Sequence, residues 1–127
     1  MSEPEECPCC GGRYADCCGP FLTGGAEAPT AEALMRSRYS AFALGLDDYL
    51  WRTWHPRTRP ERVTLDDTAW IGLEILETVD GSERDQAGIV EFAAHFRQGR
   101  RRGTLHERSR FERRGRHWLY LDGDHLA

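Results

Sequence analysis

The chain has 127 residues, 39% of them hydrophobic and 30% charged, with a formal net charge of −4. That length suits one small domain and leaves no room for a second of full size. No apolar run approaches the ~20 residues of a membrane-spanning helix, and the acidic start, Met1 to Glu6, lacks the basic and apolar regions of a secretion signal; a cytoplasmic protein without membrane contact is expected.

The first element in chain order is a cysteine cluster. Cys7, Cys9, Cys10, Cys17 and Cys18 are the five cysteines of the chain, and none follows them. Disulfides bracing the body would need downstream partners, and clustered cytosolic thiols are usually metal ligands or redox groups. The loop from Cys10 to Asp16, with Gly11 and Gly12 to permit the turn, returns a C-x-C pair onto a C-C pair. Four thiolates suit one tetrahedral Zn2+, and four protein ligands leave no position for water or substrate, so the ion is expected to be structural.

The phrase CPCCGGRYADCCGP resembles the SEC-C zinc motif, found at the C-terminus of the preprotein translocase motor SecA and in many small bacterial proteins. Carried over position by position, the resemblance implies Cys7, Cys9, Cys17 and Cys18 as the zinc ligands. Cys10 stands where the motif usually has glycine, and its role is open between a spare thiol, a substitute ligand and an oxidation-sensitive bystander.

Residues 1–20 are therefore read as a zinc knuckle, 21–29 as a linker containing Gly24, Gly25 and Pro29, and 30–127 as the body. Thr30 is a suitable N-cap for a helix whose apolar positions Met35, Tyr39, Phe42 and Leu46 recur at helical spacing, with Gly45 breaking it near its end. Asp47 is expected to cap a second short helix carrying Tyr49, Leu50 and Trp54, which His55-Pro56 stops. The period then becomes two. Trp70 to Val79, Ala87 to Arg97, Thr104 to Glu112 and His117 to Leu121 read as four meander strands, with Ile71, Leu73, Ile75 and Val79 expected on one face of the first. The expected class is α+β, with two helices packed on one face of a curved four-stranded antiparallel sheet.

Two longer phrases, PTAEALMRSRYSAFALGLDDYLWRTWHP and HERSRFERRGRHWLYLDGD, resemble the YchJ family of small bacterial proteins. The resemblance implies a SEC-C motif ahead of a nuclear transport factor 2-like, or cystatin-like, cone. Such cones often enclose a pocket, but fold alone does not assign a function. Within these phrases the polar residues interleaved with aromatics are Arg36, Arg38, Tyr39, His55, Glu107, Ser109 and Arg110. If they point inward, arginine forks would hold a carboxylate or phosphate, and His55 or Glu107 would move a proton. The blander reading makes His55 a partner for helix-end carbonyls and Glu107 a buried carboxylate paired with Arg36 or Arg38. His95, His106, His117 and His125 show no ligand spacing. Trp51, Trp54, Trp70 and Trp118 read as core, with one of them a candidate pocket wall.

Charge is divided along the chain. Residues 1–96 carry eight arginines against 17 acids, residues 97–116 nine arginines against two acids, and there is no lysine. Arg100, Arg101, Arg102, Arg113, Arg114 and Arg116 are therefore candidates for RNA contact. Three functional readings result. The first is a non-enzymatic adaptor using the knuckle for protein or ribosome contact, the second a small enzyme or ligand-binding protein with its site in the cone, and the third an RNA-binding module. The sequence does not fix the oligomeric state.

Overall fold

Thr30 opens the main helix as expected: its hydroxyl accepts the Ala33 amide at 3.0 Å, satisfying one of the orphan donors of the first turn. In the computed structural model, which describes residues 4–126, this helix, α2, spans Ala31–Leu44 and ends at Gly45, whose φ of 76° supplies the left-handed cap. Met1 to Glu3 of the expected knuckle and Ala127 of the expected body lie outside the described residues. Before α2 come a 3-10 turn, Tyr14–Asp16, and a one-turn helix, α1, Gly19–Leu22; after it comes α3, Asp47–Arg52. Leu46, not Asp47, is the N-cap of α3; Asp47 enters the first turn, and its carboxylate accepts the Asp48 amide instead.

Four strands follow, β1 Ala69–Asp80, β2 Ala87–Gln98, β3 Arg101–Arg114 and β4 His117–Leu126, in the order β1-β2-β3-β4 with every pairing antiparallel. This is the expected α+β arrangement of helices on a four-stranded antiparallel sheet. Strands β3 and β4 are longer than the sequence suggests. The arginines Arg101 and Arg102 already pair with Gln98 and Arg97, and β4 continues past Leu121 because Asp122 and Asp124 face Arg110 and Arg108 across the ladder.

The first strand departs from simple alternation. Its register shifts between Trp70 and Gly72 and again between Ile75 and Glu77, so Ile71 and Val79 are exposed while Trp70, Leu73 and Ile75 pack on the core. A bulge reverses the inside–outside parity of everything beyond it, which is why a strict two-residue period misassigns this face.

Helix α2 is buried on more than one stripe: Ala31, Leu34, Met35, Ser37, Arg38, Tyr39, Ser40 and Ala41 are all buried. A helix lying only on a sheet would leave its outer face polar and wet. Here the sheet covers one side, and the cysteine knuckle packs on another, with Cys7 Sγ 3.6 Å from Ser40 Oγ. Cys7, Cys9, Tyr14, Cys18 and Leu22 consequently join the same continuous core as Leu34, Leu50, Val90 and Phe111. No helix among the described residues is long and apolar enough to cross a membrane.

Candidate functional site

The knuckle is built by a tight backbone turn. The Cys7 amide donates to the Gly12 carbonyl at 2.7 Å, and the Gly11 amide donates to the Cys7 carbonyl at 2.7 Å, with Gly11 at a φ of 76°. On the return, a Cβ at Gly19 would sit 2.7 Å from the Tyr14 carbonyl, so only glycine lets the chain bring Cys17 and Cys18 back against the first pair. The sulfurs then converge. Cys9 Sγ lies 3.5 Å from Cys7, 3.5 Å from Cys17 and 3.6 Å from Cys18; Cys17 lies 3.9 Å from Cys18 and 3.8 Å from Cys10. Cys7, Cys9, Cys10 and Cys17 are all within 4.8 Å of one another.

Four sulfurs around an ion at about 2.3 Å form a tetrahedron with edges of about 3.8 Å, so this spacing fits a thiolate-bound metal. Cys7, Cys9 and Cys18 are buried, Cys17 is half-buried and Cys10 is exposed. Burial opposes ionisation of Cys7, but the Cys9 and Cys18 amides, the Ser40 hydroxyl and the Cys18 thiol bring its pKa down to about 6. Contact with Cys18, together with burial, pushes the Cys9 thiol up, and burial with the adjoining Cys9 pushes Cys17 up. One thiolate is welcome in the cluster, and further ones need a cation.

The second feature is a cavity of about 310 Å³ between α2 and the concave sheet. Of the residues singled out from sequence, Arg38, Tyr39, Glu107 and Ser109 line it, whereas Arg36, His55 and Arg110 do not. Arg36 projects from a different side of α2 and pairs with Glu32 at 2.9 Å. His55 docks on the edge strand β4, its amide donating to the Tyr120 carbonyl at 2.7 Å; its Nδ1 accepts the Arg57 amide at 3.0 Å and its Nε2 lies 3.6 Å from Glu112. Arg110 has the opposite strand parity to Glu107 and Ser109, and it pairs with Asp122 at 2.5 Å and Asp124 at 2.9 Å on the outer face. The aromatic walls include Trp54, Trp70, Phe92, Phe111 and Tyr120, with Phe42 and His125 also lining the cavity.

The charged groups of this cavity are almost fully buried, Arg38 being 6% and Glu107 7% exposed. Glu107 accepts from the Ser109 hydroxyl and from the Tyr120 hydroxyl at 3.3 Å, and His125 Nε2 lies 3.0 Å from its other oxygen. Its carboxyl group lies over Gly123, where an added Cβ would come within 2.8 Å of the Glu107 Cδ. Gly123→Ala is therefore expected to displace the carboxylate from Ser109 and Tyr120 and to cost about 2 kcal/mol, the scale of a disturbed buried charged hydrogen-bond network; urea unfolding against wild type measures it. His125 and Gly123 escape sequence reasoning because they lie in a terminal polar run, and their only signal is the position opposite Glu107 and Ser109 in the β3–β4 pairing.

The arginines considered for RNA do not form one patch. Arg100, Arg101 and Arg102 sit at the β2–β3 turn and Arg114 and Arg116 at the β3–β4 turn, at opposite ends of β3. Arg113 is tied to the β1–β2 turn, donating to the Glu83 carbonyl, and lies over the Trp118 ring at 5.8 Å.

Comparison with known proteins matches residues 30–123 to the YchJ middle NTF2-like domain. A UPF0225 protein of Streptomyces coelicolor is 57% identical over 124 residues, covering 94% of this chain and 95% of that protein, and one of Chromobacterium violaceum is 55% identical over 122 residues, covering 92% and 90%. The solution structure of a SEC-C motif containing protein from Rhodopseudomonas palustris superposes with a TM-score of 0.82 at 34% identity, covering 96% of this chain and 99% of that one. A crystal structure of another such protein, from Psychrobacter arcticus, gives 0.76 at 30% identity, covering 93% and 81%. Both the cysteine knuckle and the cone that it packs against are thus shared with these relatives, and the chain belongs to the YchJ family.

Proposed function

We propose that the protein is a small-molecule-binding module whose ligand occupies the cone cavity, and that Cys7, Cys9, Cys17 and Cys18 hold one structural Zn2+ that fixes the knuckle to α2. The cavity carries the first part of this reading: about 310 Å³, aromatic walls, and a buried guanidinium and a buried carboxylate among them. Ligand sites of soluble proteins have this character, largely apolar with a few placed polar groups. A body of this size has little core to spare, and filling the hollow with larger side chains would have been the simpler route to stability. If the ligand is turned over, the Glu107–His125 pair is the group available for proton transfer.

An adaptor role for the knuckle would draw on its exposed rim, Cys10 to Arg13 with Ala15 and Asp16. The inner side, Cys7, Cys9, Tyr14 and Cys18, is committed to the core, which favours a scaffolding part. RNA binding would need the two separated arginine groups to act on one strand. Indole, a small neutral aromatic, is the probe for the cavity: it should shift the Trp54 and Trp70 indole N–H resonances saturably. Ala94→Leu, which fills the cavity from β2, should weaken that binding at least tenfold while the protein stays folded by circular dichroism. No saturable shift in the wild-type protein would overturn the reading.

A further inference from the structure

The buried cation of the cavity is only partly engaged by the chain. The Arg38 guanidinium makes its hydrogen bonds through Nη1 alone, to the Leu50 carbonyl at 2.8 Å and the Thr53 hydroxyl at 2.7 Å. Its faces are flanked by Tyr120, with Cζ 4.7 Å from the ring centroid, and by Trp54 at 5.4 Å. Among the described residues no carboxylate reaches it within ion-pairing distance. Burial lowers its pKa to about 10, with only partial relief from Tyr120, Tyr49 and Glu107. The Tyr39 hydroxyl, beside the Gly72 backbone, and the Trp54 indole N–H are sealed away from the hollow, so Arg38 is the donor that it offers. Glu107, by contrast, already accepts from two hydroxyls and has the His125 imidazole 3.0 Å away.

A buried cation is ordinarily paired, because its desolvation is not recovered otherwise. Here no carboxylate among the described residues is in contact with the guanidinium, and the arginine lines an apolar hollow. We propose that the cavity takes an apolar organic monocarboxylate, aromatic or medium-chain aliphatic, whose anionic head pairs with Arg38 and whose body lies among the aromatic walls. The inference rests on the cavity being the ligand site. It makes the ligand an acid rather than a base or a neutral hydrocarbon, since a cationic ligand would face the buried Arg38 guanidinium, whereas Glu107 already accepts from two hydroxyls and has the His125 imidazole beside it. A phosphate monoester would bring a second charge and a larger hydration shell into a largely apolar space.

The test compares matched pairs on the wild-type protein by calorimetry: phenylacetate against phenylacetamide, and octanoate against octanol. At least one carboxylate should bind tenfold or more tighter than its neutral partner and should shift the Trp54 indole N–H resonance. Arg38→Gln, which keeps an amide donor for the Leu50 carbonyl, should abolish the preference while leaving the neutral partners bound; should it fail to fold, the wild-type pairs decide alone. Neutral partners that bind as well as the acids overturn the acid assignment but leave the cavity as the ligand site. Failure of all four compounds and of indole overturns both.

Discussion

Replacing Cys17 and Cys18 together by serine should release the metal and lower the melting temperature by about 10 °C or more. Structural zinc sites in short peptides contribute on the order of 10 to 16 kcal/mol of apparent binding energy, which in such peptides is folding energy. In this chain that energy reaches the body through packing: Tyr14 and Leu22 are buried with the sulfurs in the core that α2 shares. Exposing two such side chains costs about 1.5 to 3 kcal/mol each, and for a domain of this length each kcal/mol corresponds to roughly 3 to 5 °C. Chelation of the wild-type protein should reproduce the loss, and elemental analysis of protein never exposed to added zinc should find one equivalent. Cys10→Ser should keep both the metal and the melting temperature, because Cys10 is exposed and is not one of the four ligands proposed above. Loss of metal from Cys10→Ser, with retention in Cys18→Ser, would instead place the ion among Cys7, Cys9, Cys10 and Cys17, whose sulfurs also lie within 4.8 Å of one another.

Much of this architecture is legible in the sequence because it rests on local chemistry. Thr30 and Gly45 mark the ends of α2 through a hydroxyl acceptor and a left-handed backbone, and neither depends on distant residues. The parity of Leu105, Glu107, Ser109 and Phe111 on β3 likewise puts all four on one face, and all four line the cavity. What is not legible depends on the partner strand or the partner layer. The β1 bulges are set by pairing with β2, so Ile71 and Val79 turn outward although their spacing suits a buried face. The knuckle and α3 cover further sides of α2, burying Ser40 against Cys7 and Ser37 and Arg38 against Tyr49, Leu50 and Thr53, at positions that helical periodicity would assign to solvent. Arg36 and Arg38 are two residues apart, about 200° around the helix, and only the three-dimensional placement decides which of them enters the cone. His125 gains its place from a β4 that runs on to Leu126, which Arg110 supports by gripping Asp122 and Asp124.

Phe111→Ala should cost about 3 to 5 kcal/mol, the range for removing a fully buried phenylalanine, and should lower the melting temperature by about 10 °C or more. Phe111 is 2% exposed and meets the Tyr120 ring edge-on at 5.8 Å, so it is core and cavity floor at once. Phe42 lines the same cavity from its rim and is 37% exposed; Phe42→Ala should cost about 1 kcal/mol or less. A cavity that were only a packing defect would make both truncations simple losses. A ligand site behaves differently, because any compound that binds only the folded state stabilises it by mass action, by about 2.7 kcal/mol at a hundredfold excess over its dissociation constant. Phenylacetate or indole, whichever saturates the wild-type cavity, should therefore raise the melting temperature of wild type and of Phe42→Ala by similar amounts. In Phe111→Ala the enlarged floor leaves room for the ring that was removed, so the same compound should recover a larger share of the lost stability. Equal recovery in the two variants would mean that the bound compound never reaches the floor beneath Tyr120, and the site would then be confined to the rim around Phe42 and Trp70.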